Sequence, residues 1–171
     1  MLVEDTAEIQ LDKPNLVRLE ARVEGPELPA VTIRDLVPVS LRLRPDRLLV
    51  GEVRRKEAFD LLQALNTGHE GSISTVHANS ARLALSRLAN CVIESGVELP
   101  LSAVRASIAD SVNLVVHLAC RASKQIVSEV VRIDGLDESS GRYELSTIRF
   151  PPESCSAWAG IPTRGRVRAG V

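Results

Sequence analysis

Glu52 closes an apolar run, RLLVGEV (47–53), and two histidines follow it in small, polar segments: His69 in Thr67-Gly68-His69 and His77 in Thr75-Val76-His77-Ala78-Asn79-Ser80. A carboxylate at the carboxyl end of a buried strand points into the crevice where α/β sheets bind ligands. There it can hold a hydrated Mg²⁺ or orient an attacking water. A neutral imidazole at a strand end can donate to a phosphate oxygen, with Asn79 or Ser80 fixing its orientation or capping the next helix. Together these residues read as part of a nucleotide hydrolysis site. The other part is missing: no G-x-x-x-x-G-K-[ST], the loop whose N–H groups and lysine cradle phosphates, occurs in the 171 residues.

Each residue also has a plainer reading. Glu52 could be a strand-end carboxylate paired with Arg54 or Arg55, and either histidine could be a capping or hydrogen-bonded loop residue. A zinc-protease helix is excluded, because H-E-x-x-H from His69-Glu70 needs a histidine at 73, which is Ile73. The start, MLVEDTAEIQL, puts Glu4, Asp5 and Glu8 after three residues of strand. Such carboxylates serve as general base or metal ligand, or simply form a solvated end. Arg42, Arg44 and Arg47 in LRLRPDR could neutralise phosphate charge, including across a subunit interface, or could complement a helix C-terminal dipole.

The elements that must position these groups alternate. LVRLEARV (16–23) alternates apolar and charged residues as a half-buried strand does. Thr32 with Asp35 forms an N-terminal capping pattern for the helix IRDLVPVSLRL, which Pro38 is expected to break near its middle. RLLVGEV reads as a strand buried on both faces of a parallel sheet. KEAFDLLQALNT follows as a helix with Ala58, Leu61, Leu62 and Leu65 on one face and Gly68 available to end it. GSISTV is the next strand, ARLALSRLANCVIES the next helix, and LSAVRASIADS a further helix. VNLVVHLA, IVSEVVRID and RYELSTIRF then make a β-rich end. Strand and helix in alternation predict an α/β fold with a parallel sheet. Residues 151–171 lack periodicity, carry Pro and Gly, and are expected to form a disordered tail.

Composition narrows the classes. A net charge of −1 and only four aromatic residues (Phe59, Tyr143, Phe150, Trp158) argue against direct nucleic-acid binding. Cys91, Cys120 and Cys155 are widely spaced, so neither a disulfide framework nor a zinc knuckle is expected, and a reducing cytoplasm is the default compartment. No leader and no membrane-length apolar run is visible.

In order along the chain, VEDTAEIQL, VTIRDL, LRLRPDR, LLVGEVR and NTGHEGSISTVHANS closely resemble the secretion ATPases of the type II and type IV superfamily. The CpaF-like ATPases of tight-adherence (Flp) pilus assembly are most similar, with the traffic ATPases of conjugation and type IV secretion next. The resemblance covers about residues 2–150. It makes VEDTAEIQL an Asp box, LLVGEVR a Walker B segment and NTGHEGSISTVHANS a His box. It implies a RecA-like P-loop NTPase core, residues 1–150, truncated at its N-terminal side because the Walker A strand and helix are absent. It also implies a hexameric ring, ATP and Mg²⁺ as ligands, and hydrolysis that powers pilus assembly, secretion or conjugative transfer. The partners implied are copies of the chain or full-length ATPase subunits and an inner-membrane platform protein, with the chain cytoplasmic and peripheral to that membrane.

By residue, the resemblance makes Glu52 the Walker B glutamate, holding Mg²⁺ through water, and Glu4 the Asp-box carboxylate that activates water. His69 and His77 become the His-box contacts to the terminal phosphate, and Arg42, Arg44 and Arg54 fall on arginine-bearing motifs. The sequence departs from that pattern at Arg55-Lys56, where small residues are usual, and at Pro38. Without a phosphate cradle the chain alone is expected to be inactive, and its fold to suffer from the loss of a central strand and a covering helix. Two alternatives stand beside this reading. One is a non-catalytic module that docks on a full-length ATPase ring. The other is an unrelated small hydrolase using Glu52 and His77.

Overall fold

The computed structural model describes residues 1–69, 71–121 and 124–149, so the tail expected over 151–171 lies outside the described residues. The apolar start folds as β1 (Leu2–Glu4), a strand of three residues buried throughout. β2 (Arg18–Glu20) lies parallel to it, and β1 pairs in turn with β3 (Leu49–Val50) and β3 with β4 (Ile73–Ser74). The result is a parallel sheet in the order β2-β1-β3-β4. The strands are shorter than the apolar runs predict, but extended pairing continues past them. Gly51 N–H donates to the Val3 carbonyl and Val53 N–H to the Thr75 carbonyl, both at 2.8 Å. The strand expected over 16–23 is reduced most. Val17 and Val23 are exposed rather than half-buried, and beyond β2 only an isolated bridge, Arg22 to Val31, continues the pairing.

Four helices follow the sequence pattern closely. α1 (Ile33–Arg42) begins with a capping box: the Asp35 N–H donates to Thr32 Oγ1, and the Thr32 N–H to Asp35 Oδ2 at 2.8 Å. The break expected at Pro38 does not occur, and one helix runs through it. Pro38 and Arg34 both face solvent, so the Arg34 carbonyl that loses its helical donor is open to water. Val37 and Ser40, on the opposite side, anchor the helix in the core. α2 (Glu57–Leu65) turns Ala58, Leu61 and Leu62 inward, α3 (Ala81–Glu94) turns Leu85, Leu88 and Val92 inward, and α4 (Leu101–Ser111) turns Val104 and Ile108 inward.

These side chains meet Val3, Leu48, Val50 and Val53 of the sheet in one core. Ile133 and Tyr143 join the same core from an antiparallel sheet, β5 (Leu114–Arg121), β6 (Lys124–Asp137) and β7 (Arg142–Thr147), which forms the β-rich end. Its β6–β7 turn is held by Asp137, which accepts from the hydroxyls of Ser139 and Ser140. Those bonds pull the Asp137 carboxyl down to about 2.

Burial fades across the parallel sheet. Leu2, Leu49 and Ile73 stand in register on one face; Leu2 is fully buried, Leu49 half-buried and Ile73 62% exposed. Among the described residues no strand pairs with the outer edge of β4.

Candidate functional site

Because β1, β3 and β4 are parallel, the residues that follow each of them arrive at one edge of the sheet. Glu4 ends β1, Glu52 comes two residues after β3, and Thr75 and His77 follow β4. The first turn of α1 starts at the same edge. The cleft there has a volume of about 750 Å³ and is walled by Glu4, Glu52, Arg54, Thr75, His77 and Thr32 among others. That size is typical of a small-molecule site.

Glu52 is the centre of the arrangement. Its Oε2 lies 2.6 Å from Arg54 Nη2 and its Oε1 lies 3.1 Å from His77 Nε2. The Arg54 hydrogen bond, opposed by partial burial and helped by the charges of His77 and Arg54, holds the Glu52 carboxyl below its ordinary range. The pairing with Arg54 that the sequence left open is therefore present, and it leaves Glu52 ionised. Thr75 ties the strands together at the same level, its hydroxyl donating to the Gly51 carbonyl at 2.6 Å.

Glu4 is buried and engaged. Its Oε1 accepts the N–H groups of Glu8 and Ile9 at 3.1 and 2.8 Å, and Arg18 Nη1 lies 3.5 Å from Oε2. It folds the segment after β1 back along the cleft, with its carboxylate in reach of the cavity. Gly51 passes directly over it: a Cβ there would come 3.2 Å from Glu4 Cγ. Glu57 closes the turn after β3, its Oε1 accepting from the N–H groups of Arg54 and Arg55 at 2.6 and 2.9 Å. The sequence reading did not single out Thr75, Gly51 or Glu57 for the site. Only Glu57 left a visible signal, a carboxylate three residues after Arg54 at the start of a helix.

The other nominated residues lie elsewhere. His69 precedes β4 and so sits at the amino edge of the sheet, opposite His77. Its Nδ1–H donates to the Ala64 carbonyl at the end of α2, at 3.2 Å, which is the capping role weighed beside the functional one. Arg42 ends α1, a helix of ten residues whose first turn lines the cleft, so it stands about 15 Å away. Arg44 lies just beyond it with a left-handed φ of 50°, and both arginines are exposed. This chain's own fold does not bring Arg42, Arg44 or His69 into the cleft.

The donor set fits magnesium in one way. Among the described residues no three His, Cys, Asp or Glu side chains converge on a cation position, so the chain offers no closed cage. A single ionised carboxylate that reaches the ion through water is what Mg²⁺ held mainly by phosphates and water requires. No helix among the described residues is long and apolar enough to cross a membrane.

A parallel sheet with a carboxylate and an imidazole converging at its carboxyl edge is an α/β domain with its candidate site where open sheets of this class bind ligands. The family model of the type II/IV secretion system proteins matches residues 1–169, and the chain belongs to that family. A Mycobacterium tuberculosis (strain CDC 1551 / Oshkosh) protein named for conjugal transfer is 41% identical over 150 residues, covering 85% of this chain and 41% of its own length. The conjugal transfer protein TrbB of Rhizobium radiobacter is 38% identical over 79% of this chain and 39% of its own. Among solved structures, the VirB11 ATPase from the Brucella suis type IV secretion system, in complex with sulphate, superposes with a TM-score of 0.63. It is 31% identical, over 75% of this chain and 39% of that one. The chain thus spans about two fifths of the length of the curated relatives it matches.

Proposed function

We propose that this chain is the hydrolytic part of a secretion ATPase: a RecA-like core in which Glu52 and His77 work on the terminal phosphate of Mg-ATP. The observation that carries the reading is the meeting of Glu52, His77 and Glu4 at one strand edge, with Glu52 held ionised. In the reaction a water oxygen bonds to the terminal phosphorus and gives up its proton to a carboxylate of the cleft, Glu4 in this reading. The bridging P–O bond breaks, and its electron pair leaves with ADP. Glu52 orients that water or a hydrated magnesium, which when bound neutralises phosphate charge. His77 Nε2, now 3.1 Å from Glu52 Oε1, is placed to turn toward a phosphate oxygen, and Arg54 is a guanidinium in reach of the same position.

The phosphate cradle comes from residues outside these 171, and Arg42, Arg44 and His69 face the nucleotide of a neighbouring subunit in a hexameric ring. The ring is cytoplasmic, works on an inner-membrane platform protein, and powers Flp-type pilus assembly, type II/IV secretion or conjugative transfer. The chain extended upstream to include a phosphate-binding loop should hydrolyse Mg-ATP, while the 171 residues alone should not. No turnover by the extended chain would refute the reading.

A second reading is favoured by β4. Its outer edge carries no strand among the described residues, Ile73 beside it is exposed, and the Ser74 hydroxyl is buried without a partner. An open parallel edge is a template for another chain, which supports a module that docks on a full-length ATPase. Mixing the chain with an intact homologue tests it: no co-assembly and no change in turnover would remove this reading.

A further inference from the structure

Two chambers meet at the Glu52–His77 pair, and their charges are opposite. The main cleft is walled by Glu4, Asp5, Glu8, Glu52 and Glu57 against Arg54 and Arg55, with His77 between them, and suits a cation. Adjoining the cleft, and sharing Glu52, Arg54, Arg55 and His77 with it, a side pocket of about 310 Å³ adds Val53 and Arg87, so that three arginines stand there against Glu52 alone. Arg54 already neutralises that carboxylate at 2.6 Å. Among the described residues no carboxylate lies within ion-pair distance of Arg55 or Arg87, so two guanidinium charges stand uncompensated there.

The pocket also fixes how an anion would be held. The N–H groups of Arg54 and Arg55, which point as a pair and would otherwise take an oxyanion, are filled by Glu57 Oε1. Binding therefore falls to side chains. Arg87 Nη2 donates to the Arg54 carbonyl at 3.4 Å, and the buried Cys91 thiol donates to the same oxygen at 3.3 Å. These contacts anchor the turn from α3 and set the Arg87 guanidinium beside the pocket. A guanidinium fork matches two oxygens of a tetrahedral oxyanion, which a point charge does not.

We propose that this basic side pocket is a phosphate site, in which Arg55 and Arg87 grip a tetrahedral phosphate at the margin of the acidic cleft. The inference rests on the nucleotide-hydrolysing reading for its biological ligand, which is either the terminal phosphoryl group or the phosphate released from it. Its test does not depend on turnover. Inorganic phosphate is titrated into the nucleotide-free 171-residue chain and followed by ³¹P NMR line width and calorimetry. Arg55→Ala and Arg87→Ala should each weaken binding at least about tenfold. Arg82→Ala, an exposed arginine of α3 that does not line the pocket, should leave binding unchanged.

In the chain extended upstream to include a phosphate-binding loop, a non-hydrolysable ATP analogue separates the two sources. If it displaces phosphate, the pocket takes the terminal phosphoryl group; if both bind together, it takes the freed product. Both outcomes support the site. No phosphate binding by the wild-type chain, binding undiminished in Arg55→Ala and Arg87→Ala, or an equal loss in Arg82→Ala would overturn it. Phosphate binding without turnover in the extended chain would instead refute only the hydrolytic reading.

Discussion

His77 and His69 bracket the same strand, yet His77 meets the Glu52 carboxylate at an open cleft while His69 meets the Ala64 carbonyl at the end of α2. The difference lies in which end of a parallel sheet each occupies. At the carboxyl edge, strand ends release their side chains into an open cleft, so polar groups converge on one another and on a ligand. At the amino edge the same residue types are consumed by the backbone. Besides the His69 bond, the Ser72 hydroxyl donates to the His69 carbonyl at 2.7 Å and accepts from Leu48 N–H at 3.2 Å. Chemically similar residues thus become a candidate site at one edge and local mortar at the other.

The largest effect that would sharpen this contrast is on turnover. In the chain extended with a phosphate loop, Glu52→Gln should lower ATP hydrolysis by roughly a hundredfold or more, since it removes a charge aimed at the reacting centre. His77→Ala should lower it roughly tenfold, through one lost hydrogen bond of about 1.4 kcal/mol to a charged group. His69→Ala should change it less than about twofold in an isolated subunit, while lowering unfolding stability by about 1 kcal/mol. Steady-state kinetics beside urea melts would read these out. If turnover instead collapses in His69→Ala at unchanged stability, the amino edge reaches the nucleotide of a neighbouring subunit, and the two edges are functionally joined.

A smaller effect separates packing at the carboxyl edge from its chemistry. Gly51→Ala puts a methyl 3.2 Å from Glu4 Cγ, so either the strand or Glu4 must shift, at a cost of about 1–3 kcal/mol. Thermal unfolding should show the loss. A variant as stable as the parent would mean that Glu4 moves freely and is not held by Gly51.

The smallest expected effect lies at the helix start that lines the cleft. Thr32→Ala removes the α1 cap and should cost about 0.5–2 kcal/mol, with Thr32→Ser near neutral. The backbone and hydroxyl bonds from Thr32 hold the Asp35 carboxyl below its ordinary value. Because the folded value is depressed, this stabilisation is complete above the unfolded carboxylate range, near pH 4, and is lost as pH falls through the folded value. The difference in unfolding stability between parent and Asp35→Asn should therefore shrink on acidification. A constant difference from pH 7 to 3 would contradict the capping box.

Most elements were legible because they are local. The α4 helix matches its predicted bounds of 101–111, and α3 ends within a residue of ARLALSRLANCVIES, because apolar spacing, an N-terminal Ser80 cap and the glycine at 96 are all written in neighbouring residues. Pro38 misled because its cost depends on whether the freed carbonyl is buried, and in α1 that side faces solvent. The strand expected over 16–23 shrank because alternation records amphipathicity and not whether a neighbour exists to pair with; only the stretch beside β1 found a strand, and Arg22 a single bridge to Val31.

For the site, residue types and strand ends nominated Glu52, His77, Glu4 and Arg54, and these line one cleft, since a residue just after a buried parallel strand has only one edge to go to. Whether Glu52 would be free or paired, and that Arg42, Arg44 and His69 would fall outside the cleft, depended on strand direction and helix length combined over the whole sheet. The opposed charges of the acidic cleft and the basic side pocket were hidden for the same reason. Arg55 and Arg87 stand 32 positions apart in the sequence and become neighbours only when α3 packs against the turn after β3. The sequence by itself determined the elements and the chemistry they carry. The tertiary structure decided which of those groups share one volume of space, because parallel pairing sorts residues by sheet edge irrespective of their order along the chain.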